Sequence, residues 1–267
     1  MKTIFITGAS SGLGKATAKL FAGKGWTVIA TMRNPENETE LSKTANVHLL
    51  KLDVGDNNQI ANAIEKAMHI SPVDVLFNNA AYVLMGPMEA MSDKQIEQQI
   101  NVNLLGTIRI TNGFLPYFRE RKSGLIITTT SLGAYTPEPF MALYKATKAA
   151  LESWTEGMSM ELDKVGVVIK TIIPSFMNTN FVDNAQIVMH PAYEKWINKV
   201  LGVYTRPETT ASADTPETIA EVVFEAATDD KEQMHYFAGN DANEIYRWLQ
   251  KEGIETVKSE MEKYFFE

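Results

Sequence analysis

The sequence predicts an α/β protein: a single-domain, Rossmann-type, doubly wound parallel sheet of about seven strands flanked by helices. Three observations predict it. Short β-branched or aliphatic runs alternate with helix-length segments from the first residues onward. The runs are almost continuously apolar, as expected of parallel strands covered on both faces; a half-exposed sheet would alternate. No Pro/Gly/Ser-rich linker or internal repeat divides the 267 residues.

In chain order the runs are TIFITG (3–8), TVIAT (27–31), VHLLKLDV (47–54), VDVLFNN (73–79), GLIITTTS (124–131), VVIKTIIP (167–174) and HYFAG (235–239). Helix-length segments include 12–24, 57–70, 93–119 and 142–164. Within 93–119, Ile96, Ile100, Leu104, Ile108 and Thr111 recur at three- and four-residue steps, which predicts a buried helical stripe. Two regions break the alternation. Residues 175–215 form a long interval without a strand, and their Phe, Trp and Tyr content predicts a substrate lid. Residues 240–267, with Ile245, Trp248 and Leu249 at helical spacing, predict a helical C-terminal extension of one or two amphipathic helices. The domain is therefore expected to span 1–267, lid and extension included.

An apolar fraction of 45% suffices for a globular core. The net charge of −8 argues against nucleic acids and anionic membranes as partners. With no cysteine, disulfide and thiolate chemistry are excluded, and a reducing cytoplasm is the expected compartment. The apolar run Ile4–Ile6 is too short for a signal peptide, and no stretch approaches the roughly 20 apolar residues of a membrane helix. The four histidines (His48, His69, His190, His235) lack metal-ligand spacing, so no metal is expected, and the 13 methionines read as core filler.

The segment TGASSGLGKATAKLF follows the first strand and opens a helix. Gly8, Gly12 and Gly14 have the pattern Gly-x-x-x-Gly-x-Gly, which departs from the usual Gly-x-Gly-x-x-Gly. Such a turn brings backbone close to a pyrophosphate and aims a helix N-terminus at it. A purely structural turn is the alternative; the position at the first strand–helix junction favours the nucleotide. Thr31 stands where an acid for a ribose 2′-hydroxyl is expected, and Arg33 follows it. A missing carboxylate and a nearby guanidinium suit a 2′-phosphate, so NADP(H) is expected over NAD(H). A solvated surface arginine is the alternative for Arg33.

Ser131, Tyr144 and Lys148 complete a pattern that resembles the short-chain dehydrogenase/reductase family, in its branch of roughly 250 residues. TGASSGLG is similar to that family's cofactor loop. Asp53 in LDV resembles its adenine-contacting acid, Asn78–Ala81 its Asn-Asn-Ala-Gly segment, and Asn103 in NVNLLGT its catalytic asparagine. PSFMNT resembles its Pro-Gly motif, and Ala81 and Ser175 replace family glycines. The resemblance implies cofactor contacts at Gly8, Ser10, Ser11, Gly12, Leu13, Gly14, Arg33, Asp53, Val54, Asn79, Ala80, Ala81, Tyr144, Lys148, Pro174, Met177 and Thr179. It implies Asn103, Ser131, Tyr144 and Lys148 as catalytic, with Asn103 holding a water that links Lys148 to solvent. The tail and the ATMR segment are most similar to hydroxysteroid- and retinol-dehydrogenase-like members.

The spacing has a chemical rationale. Residues four apart on a helix share a face, which brings Tyr144 and Lys148 into one cleft. A free phenol titrates near pH 10, and a fixed ammonium is expected to lower that value. Tyr144 is then the general acid for a carbonyl oxygen while hydride arrives from nicotinamide, and Ser131 holds the same oxygen. Tyr82, Leu84, Leu132, Tyr135, Phe140, Met141, Phe176, Phe181 and Trp196 are the expected substrate walls. They predict a small hydrophobic ketone, aldehyde or secondary alcohol; Arg206 beside Pro207 reads as a surface turn. A homodimer or homotetramer through 93–119 and 142–164 is implied by the resemblance. An NADP-using isomerase or epimerase, or a nonenzymatic NADPH-sensing regulator, are the alternatives. A halohydrin dehalogenase-like lyase is opposed by Lys148 and the intact glycine turn.

Overall fold

The computed structural model describes residues 1–177 and 185–267. Nine strands are described: β1 Thr3–Thr7, β2 Thr27–Met32, β3 Val47–Lys51, β4 Val75–Asn78, β5 Leu84–Met85, β6 Leu125–Thr129, β7 Val168–Pro174, β8 Gln186–Ile187 and β9 His235–Ala238. The helices are α1 Gly12–Gly23, α2 Asn57–Ile70, α3 Asp93–Ile100, α4 Thr107–Arg121, α5 Ala142–Leu162, α6 Glu194–Thr205, α7 Pro207–Ser212, α8 Pro216–Thr228 and α9 Ala242–Phe266. Seven strands form one sheet in the order β3-β2-β1-β4-β6-β7-β9, each pair parallel. All seven predicted strands are present, and the predicted fold class holds.

Continuous apolar sequence is used on two faces at once. Ile4, Ile6, Val28, Ala30, Phe77 and Ile127 face a core closed by Ala18 and Phe21 of α1 and Ile219 and Val223 of α8. The residues between them, Phe5, Ile29, Leu76 and Ile126, face a second core closed by Ile60 of α2, Phe114 of α4 and Leu162 near the end of α5. Side chains alternating across each strand thus fill two layers, which is the three-layer sandwich the pattern predicts. A third cluster joins β5, α5, α6 and α9 around Met85, Tyr144, Val203 and Phe265. Among the described residues no helix is long and apolar enough to cross a membrane.

Two expectations are corrected. The segment 93–119 is helical throughout, with α3 and α4 joined by a π-helical turn, Asn101–Gly106, but its buried stripe is not the expected one. Its buried face is Gln99, Asn103, Thr107, Ile110 and Thr111, while Ile96, Ile100, Leu104 and Ile108 are only half-buried. The inward face carries amides because it must satisfy irregular backbone at residues 82–84: Leu84 N–H donates to Gln99 Oε1 at 2.7 Å and Gln99 Nε2 donates to Tyr82 O at 2.7 Å. The interval 175–215 does hold a short strand, since β8 pairs in parallel with β5. It also contains α6 and α7. The tail, expected as one or two helices, is α9, broken at Gly253 (φ 78°, ψ 163°) into two helical pieces.

Gly14 is where helix α1 comes closest to the strand edge. A Cβ there would stand 2.3 Å from Gly8 O and 2.7 Å from Asn79 Nδ2. Gly14→Ala should therefore lower stability by about 1–3 kcal/mol through overpacking. Gly157, on the exposed side of α5 with open space around it, should gain up to about 1 kcal/mol on replacement by Ala. Thermal unfolding followed by circular dichroism distinguishes the two; equal shifts would show that the contact at Gly14 does not constrain the fold.

Candidate active site

A cleft of about 900 Å³ opens at the C-terminal ends of the strands, where the sheet order reverses between β1 and β4. At one end is the β1–α1 turn. Gly8 takes φ 69°, and a Cβ on it would approach Ala80 Cα to 2.8 Å. The turn is tied to β4 through Thr7: its Oγ1 accepts from Asn79 N at 2.9 Å and Ala80 N at 3.0 Å. Asn79 Nδ2 donates in return to Thr7 O and Gly8 O, both at 3.2 Å. Ser11 caps α1 in extended conformation without a side-chain hydrogen bond, and the first turn has no acid. The positive end of α1 is thus open to the cleft, with Ser10, Ser11, Gly12 and Leu13 along the wall.

Asp53, Val54, Asn79, Ala80, Ala81, Pro174 and Met177 line the same cleft. Gly14 does not; it packs beneath the turn. Thr179 lies outside the described residues. Thr31 also needs correction. Its Oγ1 points into the protein and donates to Ile6 O at 3.0 Å, so Met32, the next residue on the opposite face of β2, meets the cleft instead. Arg33 follows at the rim, exposed and with no ion pair to the described residues. Ala81 and Ser175 do not have positive φ, so their side chains fit without backbone strain. Ser175 Oγ donates to Asp214 Oδ2 at 3.1 Å.

At the other end, β6 delivers Ser131 and α5 delivers Tyr144 and Lys148 on one face. Ser131 caps a short 3₁₀ turn, accepting from Gly133 N at 3.0 Å, and its hydroxyl is hydrogen-bonded to Tyr144. Lys148 is 3% exposed; its Nζ donates to Thr129 O at 2.8 Å and lies 5.8 Å from the centre of the Tyr144 ring. Asn103 is buried in the π-helical turn outside the cleft wall, donating to Tyr82 O at 2.8 Å and accepting from Tyr82 N at 3.1 Å.

The expected lowering of the Tyr144 pKa is contradicted. Burial pushes the phenol well above its ordinary value, Glu138 adds to the rise, and the Ser131 hydrogen bond opposes it. Lys148 is itself pushed down to about 8 by burial. Its ammonium sits over the ring and is bound to a carbonyl, so in this state it does not offset desolvation of the phenol oxygen.

Of the residues expected as substrate walls, some reach the cleft and others do not. Tyr82, Leu132, Met141 and Phe176 line the cleft. Leu84 is wholly buried, Tyr135 packs on Phe237 and Tyr246, and Phe140 packs on Tyr193. Trp196 lies against Phe266, away from the cleft, and Phe181 is outside the described residues. Sequence reasoning missed Glu138, Tyr204 of α6, and Ile245, Met261, Tyr264 and Phe265 of α9. Helical spacing in the tail was legible, but its direction of approach was not.

This arrangement defines a doubly wound α/β protein with its site at the strand-order reversal. A family model described as short chain dehydrogenase matches residues 2–187. The chain is 34% identical over 210 residues to an uncharacterised oxidoreductase of Schizosaccharomyces pombe, covering 78% of this chain and 89% of that protein. It is 32% identical over 185 residues to a 3-ketodihydrosphingosine reductase of Bacteroides thetaiotaomicron, covering 69% and 67%. A short-chain dehydrogenase from Streptomyces avermitilis superposes with a TM-score of 0.83 at 27% identity, covering 98% of this chain and 95% of that one. The chain belongs to the short-chain dehydrogenase family and is an oxidoreductase of that family.

Lys148 has a measurable pH signature. Its folded pKa lies below its unfolded value of 10.5, so in between the unfolded chain binds more protons and stability rises with pH. The rise should begin near pH 8 and reach about 2 kcal/mol relative to Lys148→Met as pH approaches 10. Urea unfolding of both proteins across that range checks it; a difference independent of pH would show the ammonium is not desolvated.

Proposed function

We propose that this chain is an NADP(H)-dependent oxidoreductase interconverting a hydrophobic ketone or aldehyde and its alcohol, with Tyr144 as general acid and base. One observation carries the reading: a single cleft joins the open N-terminus of α1, Asp53 and Asn79–Ala81 to Ser131, Tyr144 and Lys148. The residues present fit a dinucleotide. The Gly8 cradle would be filled by a Cβ, α1 presents uncapped N–H groups, and the β2 end offers Met32 and Arg33 without a carboxylate. Arg33 supports a 2′-phosphate over a 2′-hydroxyl.

A bound reduced nicotinamide supplies the hydride. The rest falls to the protein. Ser131 fixes the carbonyl oxygen beside the Tyr144 hydroxyl, and Tyr144 gives that oxygen its proton. A phenol held in its protonated form by burial is suited to reduction. The Lys148 ammonium, fixed by Thr129 O, stabilises the phenolate once the proton has left. Asn103 holds residues 82–83 in place behind the site. Leu132, Met141, Phe176 and Phe265 support an apolar substrate body, and the reductase activity named for the Bacteroides relative agrees with a keto substrate.

Tyr144→Phe should cut kcat by about 10²–10⁴ with far-ultraviolet circular dichroism unchanged. Arg33→Asp should weaken NADPH binding at least about tenfold more than NADH binding. Undiminished turnover in the first variant, measured by nicotinamide absorbance, would remove Tyr144 from the mechanism; equal losses in the second would remove Arg33 from cofactor choice.

The half-buried stripe Ile96, Ile100, Leu104 and Ile108 supports a homodimer through this helix pair and α5. Light scattering should report about twice the chain mass, and Leu104→Glu should shift it to the monomer; a wild-type monomer at micromolar concentration would exclude the interface.

A further inference from the structure

Besides Asp53 and Asp241, the cleft wall contains an acid close to Ser131 that the proton-transfer unit does not use. Glu138 sits in the loop between Ser131 and α5, half-buried, with its carboxyl lining the cleft. Thr136 Oγ1 donates to it at 3.2 Å, and Tyr204, whose hydroxyl donates to Met141 Sδ at 3.9 Å, lies beside it. Neither of these two carries charge. Lys145 is near enough for its charge to favour the carboxylate, but its Nζ donates to Gly133 O at 2.5 Å. No described residue forms an ion pair with Glu138.

Its position relative to the chemistry is fixed. Ser131 Oγ and the two Glu138 oxygens stand 3.2, 3.5 and 3.7 Å from one point, the place a Cβ on Gly133 would take. A carbonyl oxygen held at Ser131 therefore has a carboxylate a short span away. Resting on the oxidoreductase reading above, we infer that Glu138 selects the substrate: a carbonyl compound with an amino group one or two carbons from the carbonyl. Its ammonium makes the charge-assisted hydrogen bond that Glu138 lacks in the protein, while the apolar walls take the rest of the molecule. Burial raises the Glu138 pKa, and a bound cation reverses that penalty.

The test uses matched probes on the full chain. With NADPH, kcat/KM is measured for 2-amino-1-phenylethanone and acetophenone. Calorimetry measures binding of 2-amino-1-phenylethanol and 1-phenylethanol. The amine should be preferred about tenfold or more in both. Glu138→Gln, which keeps an acceptor for Thr136, should remove most of that preference. Turnover of both ketones without amine preference, or a preference that survives Glu138→Gln, overturns this inference and leaves the oxidoreductase reading standing. Amine-selective binding lost in Glu138→Gln, with no turnover of either ketone, supports it and removes the proposed reaction.

Discussion

The parallel sheet runs outward in opposite directions from β1 and β4, and at that reversal the connecting segments diverge. A crevice is left at the C-terminal edge, and every candidate functional group reaches it from a strand end or the segment that follows. The crevice stays narrow because the turn after β1 is locked to the end of β4. Thr7 and Asn79 exchange hydrogen bonds with backbone on both sides, and the two close-packed glycines let α1 descend onto the same point. A side chain at Gly8 or Gly14 would push the two halves apart, and with them the anion-facing helix end from the hydroxyl pair across the cleft. The positions of Ser131, Tyr144 and Lys148 relative to the glycine turn are consequences of that lock.

Burial sets the charge state of the site in opposite senses for its members. It keeps the phenol of Tyr144 protonated, draws the Lys148 ammonium towards neutrality and lifts the carboxyl of Glu138. All three changes have one cause: an ion in the cleft trades water for apolar wall. A cleft arranged in this way disfavours charge on these three groups until ligands bring their own. A dinucleotide brings anionic phosphates to the uncapped helix, and those charges are met by backbone dipoles.

Much of this was legible in the sequence where a residue's type follows from backbone need. The strand runs, the glycine turn, and the serine, tyrosine and lysine all fall where periodicity and spacing put them, because the sheet is buried on both faces and α5 has one face towards the cleft. Other features were illegible for specific reasons. Thr31 and Met32 sit on opposite faces of one strand, and near a strand end apolar composition does not reveal which one meets the cleft. The inward face of α3 and α4 carries Gln99 and Asn103 to serve the irregular backbone at 82–84, so the apolar stripe pointed to the wrong side. The direction of the phenol's pKa depends on whether desolvation or the ammonium wins, and only the depth of the cleft decides that. Tyr204, Met261 and Phe265 come from segments whose path over the cleft is set by tertiary packing.

The family match ends at residue 187, yet α6 and α9 lie beyond it and close the cleft with Tyr204, Met261, Tyr264 and Phe265. Part of the cleft wall is thereby written outside the stretch that carries Ser131, Tyr144 and Lys148. The break at Gly253 separates the last helical piece, which carries Met261, Tyr264 and Phe265 to the cleft, from the one before it. Diversification of such a scaffold can proceed by editing its end, where a poor fit alters what is accepted before it alters how the reaction proceeds.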